Sequence, residues 1–321
     1  MNPRAHQVAE PGTGKSLVTG NAAWDRFADE YARQTGHAAD TGRSGPTFLR
    51  RLVRDRVAVA ALVVLGLVTL AAIFAPMLAP ADPRTQDLSA VLQPPSSSHL
   101  LGTDEVGRDV LSRLLYGGRI SLLAGLEGTG IAIALGVVPG LIAGYAGRRV
   151  DRFIMLITEA GMSYPPVILA IAIIGALGPG LHNAMLAVGI VAAPRVVRLV
   201  RGVVLGIKNE TFIHAARTFG SPATRIIVRH VLPNTLPPLI VFASLMAGTA
   251  MLIEAGLSFL GLGVQPPDAS WGSMLGAASR FTSRAPTLIL FPGLAIAITV
   301  LAFNLIGDGL RDALRRDRSD S

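Results

Sequence analysis

The chain has 321 residues, of which 50% are hydrophobic and 16% charged, and a mean hydropathy of +0.50, a composition that excludes an ordinary soluble domain and points to a membrane protein. The formal charge of +8 is almost all arginine, since only Lys15 and Lys208 are lysines; the arginines stand beside apolar spans, so the positive-inside rule explains them better than nucleic acid does. Cysteine is absent, which excludes disulfides and thiolate metal sites.

Residues 1–48 are polar and rich in Gly, Ala and Thr, and read as a flexible cytoplasmic tail. Within them Gly12-Thr13-Gly14-Lys15-Ser16 resembles the end of a phosphate-binding loop. Ala9 stands where the first glycine of that pattern belongs, and no strand precedes it, so the match is read as coincidence. No apolar run with a cleavage site occurs here, and no removable leader is expected.

Arg50, Arg51, Arg54 and Arg56 precede an apolar run over about 57–78, long enough to cross a bilayer with its N-terminus inside. The loop that follows lies outside by alternation. Asp104, Glu105 and Asp109 in it offer oxygen ligands to a hard cation. Arg108 and Arg113 can pair with these carboxylates, however, and the spacing is not that of an EF-hand, so ion pairing is expected and no metal site.

The second span, about 121–145, is rich in glycine, which permits close helix packing. Glu127 lies within it, either on a substrate or proton path or near the outer edge reaching headgroups. Arg148, Arg149 and Arg152 mark a cytoplasmic loop over 146–152. A third span over about 153–177 carries Glu159 and the Pro165-Pro166 pair, a kink that serves either gating or packing. Glu159 reads as a pathway residue or as a polar contact near the cytoplasmic end.

Residues 178–183 contain no Lys or Arg and lie outside. The fourth span, from about 184, runs into Arg195, Arg198 and Arg201, which drift around one helix face. A voltage-sensor-like array and an anion path compete with a helix leaving the membrane among headgroups, and the last is expected. The fifth span, about 236–262, holds Glu254, which either lines a passage or makes an inter-subunit hydrogen bond. Trp271 suits an interface; Arg280 and Arg284 run against the charge rule. A sixth span over about 286–306 precedes Arg311, Arg315, Arg316 and Arg318. The expectation is an all-α membrane protein with six transmembrane helices and both termini cytoplasmic.

Between the fourth and fifth spans, residues 210–234 are polar and basic, reading ETFIHAARTFGSPATRIIVRHVLPN, with the coupling loop bounded at 209–233. Ala215, Ala216 and Arg217 suit a short helix, Gly220 and Pro222 end it, and Pro233 limits where the next helix starts. Here the chain resembles the permease subunits of ABC importers, whose cytoplasmic loop reads Glu-Ala-Ala, three residues, Gly, then a spacer ending in Leu-Pro. His214 stands in the acidic position, with Ala215, Ala216, Gly220, Leu232 and Pro233 in register. The strings LGTDEVGRDVLSRLLYGGRISL, EAGLSFLGLG with Trp271-Gly272, and NLIGDGLRD are similar to the C-type permease of dipeptide and oligopeptide importers. The resemblance covers about residues 49–312.

The resemblance implies a type I ABC importer permease fold in a bacterial inner membrane. It divides the chain into a tail (1–48), a first helix with its extracytoplasmic loop (49–118), a core transmembrane domain with a coupling loop at 209–233 (119–312) and a C-terminal tail (313–321). The subunit would be half of a pore, not an enzyme, paired with a second homologous permease, two ATPases and an extracytoplasmic solute-binding protein. The coupling loop docks in a groove of the ATPase. ATP and Mg are bound by the ATPases and no cofactor by this chain; the membrane supplies lipid, and no nucleic acid is involved. Peptides are the expected cargo, with nickel or glutathione as alternatives. An ion-coupled secondary transporter using Glu127, Glu159 or Glu254 is a further reading, though no inverted repeat is visible. A membrane enzyme would need a convergent site, and the histidines are scattered.

Overall fold

The computed structural model describes residues 52–319, with side chains as far as residue 314. The tail over 1–48 with its Gly12 to Ser16 segment, Arg50, Arg51, and the side chains of Arg315, Arg316 and Arg318 lie outside the described residues. Apart from one isolated bridge between Thr103 and Asp109, the regular structure among the described residues is helical.

Helix α1, Arg56–Ile73, is capped by the Asp55 carboxylate, which accepts from the amides of Val57 and Ala58. A short α2, Ala75–Leu78, follows. Asp109 caps α3, Val110–Tyr145, by accepting from Ser112, so this helix begins eleven residues before the expected 121. Next come α4, Arg148–Met162, and α5, Pro166–Leu177. The expected third span is therefore not one kinked helix. It is broken at Ser163–Pro165, and its halves are bent by 89°, because two consecutive prolines withhold two backbone donors.

Helix α6, Leu181–Ile207, leads to α7, Thr211–Thr218, and α8, Ala223–Ile226. One π turn, Ile227–Val231, joins α8 directly to α9, Leu232–Phe259. Pro233 falls in the first turn of α9, and the helical path continues through it from the π turn. Helix α10, Trp271–Ala278, and α11, Thr287–Ser319, complete the fold. Because α11 runs on to Ser319, the expected C-terminal tail is helical over most of its length.

Among the described residues, four helices are long and apolar enough to cross a membrane, and α4 with α5 makes a fifth if taken as one broken span. With 27 residues, α6 is long enough at about 40 Å. Arg195, Arg198 and Arg201 lower its apolarity; Arg198 is exposed, and Arg201 is paired with Asp151 on α4. Helices α3 and α6 run parallel, with Gly136, Gly140 and Gly144 facing Val196, Val200 and Val204. A Cβ on these glycines would lie 2.5, 2.7 and 2.5 Å from the valine Cβ atoms, so the backbones approach as closely as only glycine allows.

The bundle has two distinguishable ends. At one, Ala72, Gly118 and the Trp271 ring meet; at the other, Gly144 meets Val204 and Gly309 meets Ala58. Trp271 anchors the first end, donating from Nε1 to the Leu114 carbonyl at 2.8 Å while its amide bonds the Ser121 hydroxyl at 3.1 Å.

Candidate functional site

The 209–233 segment closes the second end of the bundle. Helix α7 is amphipathic: Ile213 and Ala216 are buried among Val200, Val204, Ile226 and Val231, while His214, Thr218 and Phe219 face outward and Ala215 is half-buried. Gly220, at φ +75°, terminates it. The Ser221 amide reaches the Ala216 carbonyl at 3.0 Å and the Gly220 amide the Arg217 carbonyl at 2.9 Å, the paired bonds of a Schellman cap. Nothing lies within 4 Å of a Cβ built on Gly220, so it is the left-handed backbone that calls for glycine there.

Two contacts fix α7 to its neighbours, and a third ties the end of α6 to α3. The Arg217 guanidinium lies 5.3 Å from the centre of the Tyr145 ring, Phe212 packs against His230 with centroids 6.3 Å apart, and Lys208 donates to the Gly144 carbonyl at 3.1 Å. Beside them Asp151 on α4 accepts from Nε and Nη2 of Arg201 on α6, at 2.5 and 2.7 Å. Leu232 packs on the same apolar cluster, and Pro233 is exposed. His214, Ala215, Gly220 and Pro233 are thus open to a partner, whereas Ala216 serves the interior.

The three glutamates sit in different settings. Glu254 has no exposed surface; its Oε1 accepts from Ser258 at 2.6 Å, and among the described residues its Oε2 makes no hydrogen bond of ordinary geometry. In this conformation it offers nothing to a passage or to a neighbouring subunit. The Ser258 hydroxyl also accepts from the Val264 amide at 3.1 Å, tying α9 to the loop that follows it. Glu159 is exposed on α4. Glu127 is half-buried and bonds His182 Nδ1 at 2.8 Å, a partner that sequence spacing does not reveal.

At the first end, the acidic cluster is occupied by arginine. Arg108 bonds Asp104 at 2.7 Å and Glu105 at 2.8 Å, and Arg113 lies 3.3 Å from Asp104. Asp109 is taken up by Ser112 and His99. Sequence reasoning foresaw the arginine partners but not Asp109 as a helix cap. Outside the membrane-spanning helices, hydrogen bonds from the Ser89 hydroxyl and amide hold the Asp87 carboxyl below its ordinary value.

Residues 136–320 match the family described as the binding-protein-dependent transport system inner membrane component, and residues 47–95 match the N-terminal transmembrane domain of oligopeptide transport permease C. The chain belongs to this family. It is a multi-pass inner-membrane permease subunit of the ABC importer type, not an enzyme. Among its relatives, a dipeptide transport system permease of Alkalihalophilus pseudofirmus is 45% identical over 83% of this chain and 87% of its own. A probable D,D-dipeptide transport permease of Escherichia coli K12 is 46% identical over 84% and 91%. A glutathione transport permease of Pectobacterium atrosepticum is 44% identical over 83% and 89%. The inward-facing MetNI methionine ABC transporter aligns with 60% of this permease and 94% of its own chain, at 22% identity and a TM-score of 0.48.

Proposed function

We propose that this permease forms half of the passage of an ATP-driven importer for peptides, working with a second homologous permease, two ATPases and an extracytoplasmic binding protein. ATP and Mg belong to the ATPases, and the chain itself binds neither. Peptide cargo is favoured by the dipeptide permeases among the relatives; a glutathione permease among them keeps glutathione, itself a peptide, within the class.

The observation that carries this reading is α7: a short, firmly capped helix, packed on the ends of α3, α6 and α9, with His214 exposed and Ala215 half-buried beside it. Such an element can receive a push from an ATPase groove and pass it to the transmembrane helices. We place it, with both termini, on the cytoplasmic side. Arg54, Arg148, Arg149, Arg152, Arg217, Arg225 and Arg229 crowd the α7 end. The loops of the opposite end mix Arg84, Arg108, Arg280 and Arg284 with Asp82, Asp87, Asp104, Glu105, Asp109 and Asp268, as the positive-inside rule prefers.

Co-purification tests the assembly: two ATPases and a second permease should accompany this chain, with hydrolysis stimulated by loaded binding protein. Gly220→Pro and Ala215→Trp should insert normally but hold hydrolysis at its unstimulated rate and abolish uptake. Normal uptake by either variant would remove α7 from the coupling route.

A further inference from the structure

A groove of about 160 Å³ opens between α1, α3 and α11 at the end of the bundle opposite α7. Val68 and Ala71 on α1, Leu115 and Gly118 on α3, Ala295 on α11 and the Trp271 ring line it, and its walls are apolar almost throughout. Water gains nothing in such a space, which is large enough for roughly six carbons of a hydrocarbon ligand. Contacts on two helices fix its depth. The Ala81 amide bonds the Ser112 hydroxyl at 3.2 Å, so the apolar run over 57–78 has ended at the level of Ser112. Six residues further along α3, about 9 Å, Gly118 faces Ala72 on α1. The groove thus lies just below the polar boundary, among the first carbons of the acyl chains. Of the four apolar helices α1 is the least covered, with 17% of its span buried, and Leu67, Leu70 and Ile73 beside the groove residues are exposed.

Arg119 stands one turn beyond Leu115 on the same side of α3. It is exposed and, among the described residues, makes no hydrogen bond or ion pair. A long side chain in a helix leans toward the helix N-terminus, here the polar end, which brings the guanidinium to the level of the headgroups. A cation so placed calls for an anion from outside the chain. We propose that a bilayer phospholipid docks here, with one acyl chain in the groove and its phosphate on Arg119, and that net-negative phospholipids are preferred. A single acyl chain is narrow enough to enter, whereas a helix of another subunit, about 10 Å across with its side chains, would bridge the mouth and leave the space empty. The docked chain gives α1 the neighbour that it lacks between α3 and α11.

Trp271 reads the occupant directly. Bromine on an acyl chain quenches indole fluorescence only at close range, and Trp271 is 4% exposed, so a brominated chain reaches the ring by entering the groove. The permease is purified with its partner subunits into nanodiscs, and the emission of the Trp271→Phe complex is subtracted. The probes are phosphatidylglycerol and phosphatidylcholine, each brominated in the upper half of one acyl chain and mixed in rising fraction into unbrominated phosphatidylcholine. Trp271 emission should fall with both, and at a roughly fivefold lower fraction of the anionic lipid, as one cation near the surface provides. Arg119→Gln should remove that preference. Ala71→Leu, which fills the groove from a half-buried wall position, should restore the emission with either lipid.

Trp271 emission unchanged by brominated chains would overturn the proposal, whether the groove stays empty or a second permease closes it. Quenching that survives Ala71→Leu would show that the ring is reached from elsewhere and would overturn it too, as would a lipid preference that Arg119→Gln leaves intact. The readout requires no transport, so its outcome is separate from the identity of the cargo.

Discussion

Glu254 is enclosed on every side by its own chain, with a serine rather than a cation for company. Glu254→Gln keeps an acceptor for Ser258 and removes an ionisable group from the interior, so its thermal stability should equal or exceed that of the parent. Glu254→Ala leaves a hole and an unsatisfied hydroxyl, and should lower stability by about 2–3 kcal/mol, read as a fall in melting temperature in detergent. The position of this carboxylate deep in a span was legible from hydropathy. Its isolation was not, because burial depends on which way α9 turns within the bundle. The Asp104 group differs in being satisfied: Asp104→Ala removes the carboxylate that Arg113 faces and leaves Arg108 with Glu105 alone, and should cost about 3 kcal/mol in the same assay. For Arg108 sequence spacing sufficed, since partners three and four residues apart meet locally. Glu127 and His182, 55 residues apart, meet only through the fold.

Glycines four residues apart on α3 announced a close packing surface without naming what it packs on. The fold supplies Val196, Val200 and Val204, four apart on α6 in the same direction. Gly140→Leu forces these backbones apart and should reduce the yield of folded protein, at about 1–3 kcal/mol or more; a variant that purifies with parental melting behaviour would contradict the packing. Helix α6 shows why hydropathy alone ranks spans poorly: arginines that penalise a lone helix in lipid are tolerated when neighbours shield it, as Asp151 does for Arg201. The Pro165-Pro166 pair was equally ambiguous. Either a kink or a full break satisfies two missing donors, and the choice of an 89° break depends on tertiary packing.

At the scale of the whole molecule, the charge difference between the two ends was written in the sequence, while their assignment to sides of the membrane rests on a statistical rule. Single cysteines decide it: an impermeant reagent applied to intact cells should label Thr282→Cys and spare Thr218→Cys, and the reverse pattern would invert the topology. The unbroken run from α8 through the π turn into α9 gives that topology a mechanical meaning. Ala223–Phe259 is 37 residues of continuous helix, so it amounts to a lever about 55 Å long with its short arm beside α7. A tilt of about 5° at the base carries the far tip roughly 5 Å, close to one helical turn. Ser258 fastens the Val264 strap to that tip, so a slight rocking at the arginine-rich face becomes, on the opposite face, a displacement wide enough to open or shut a mouth.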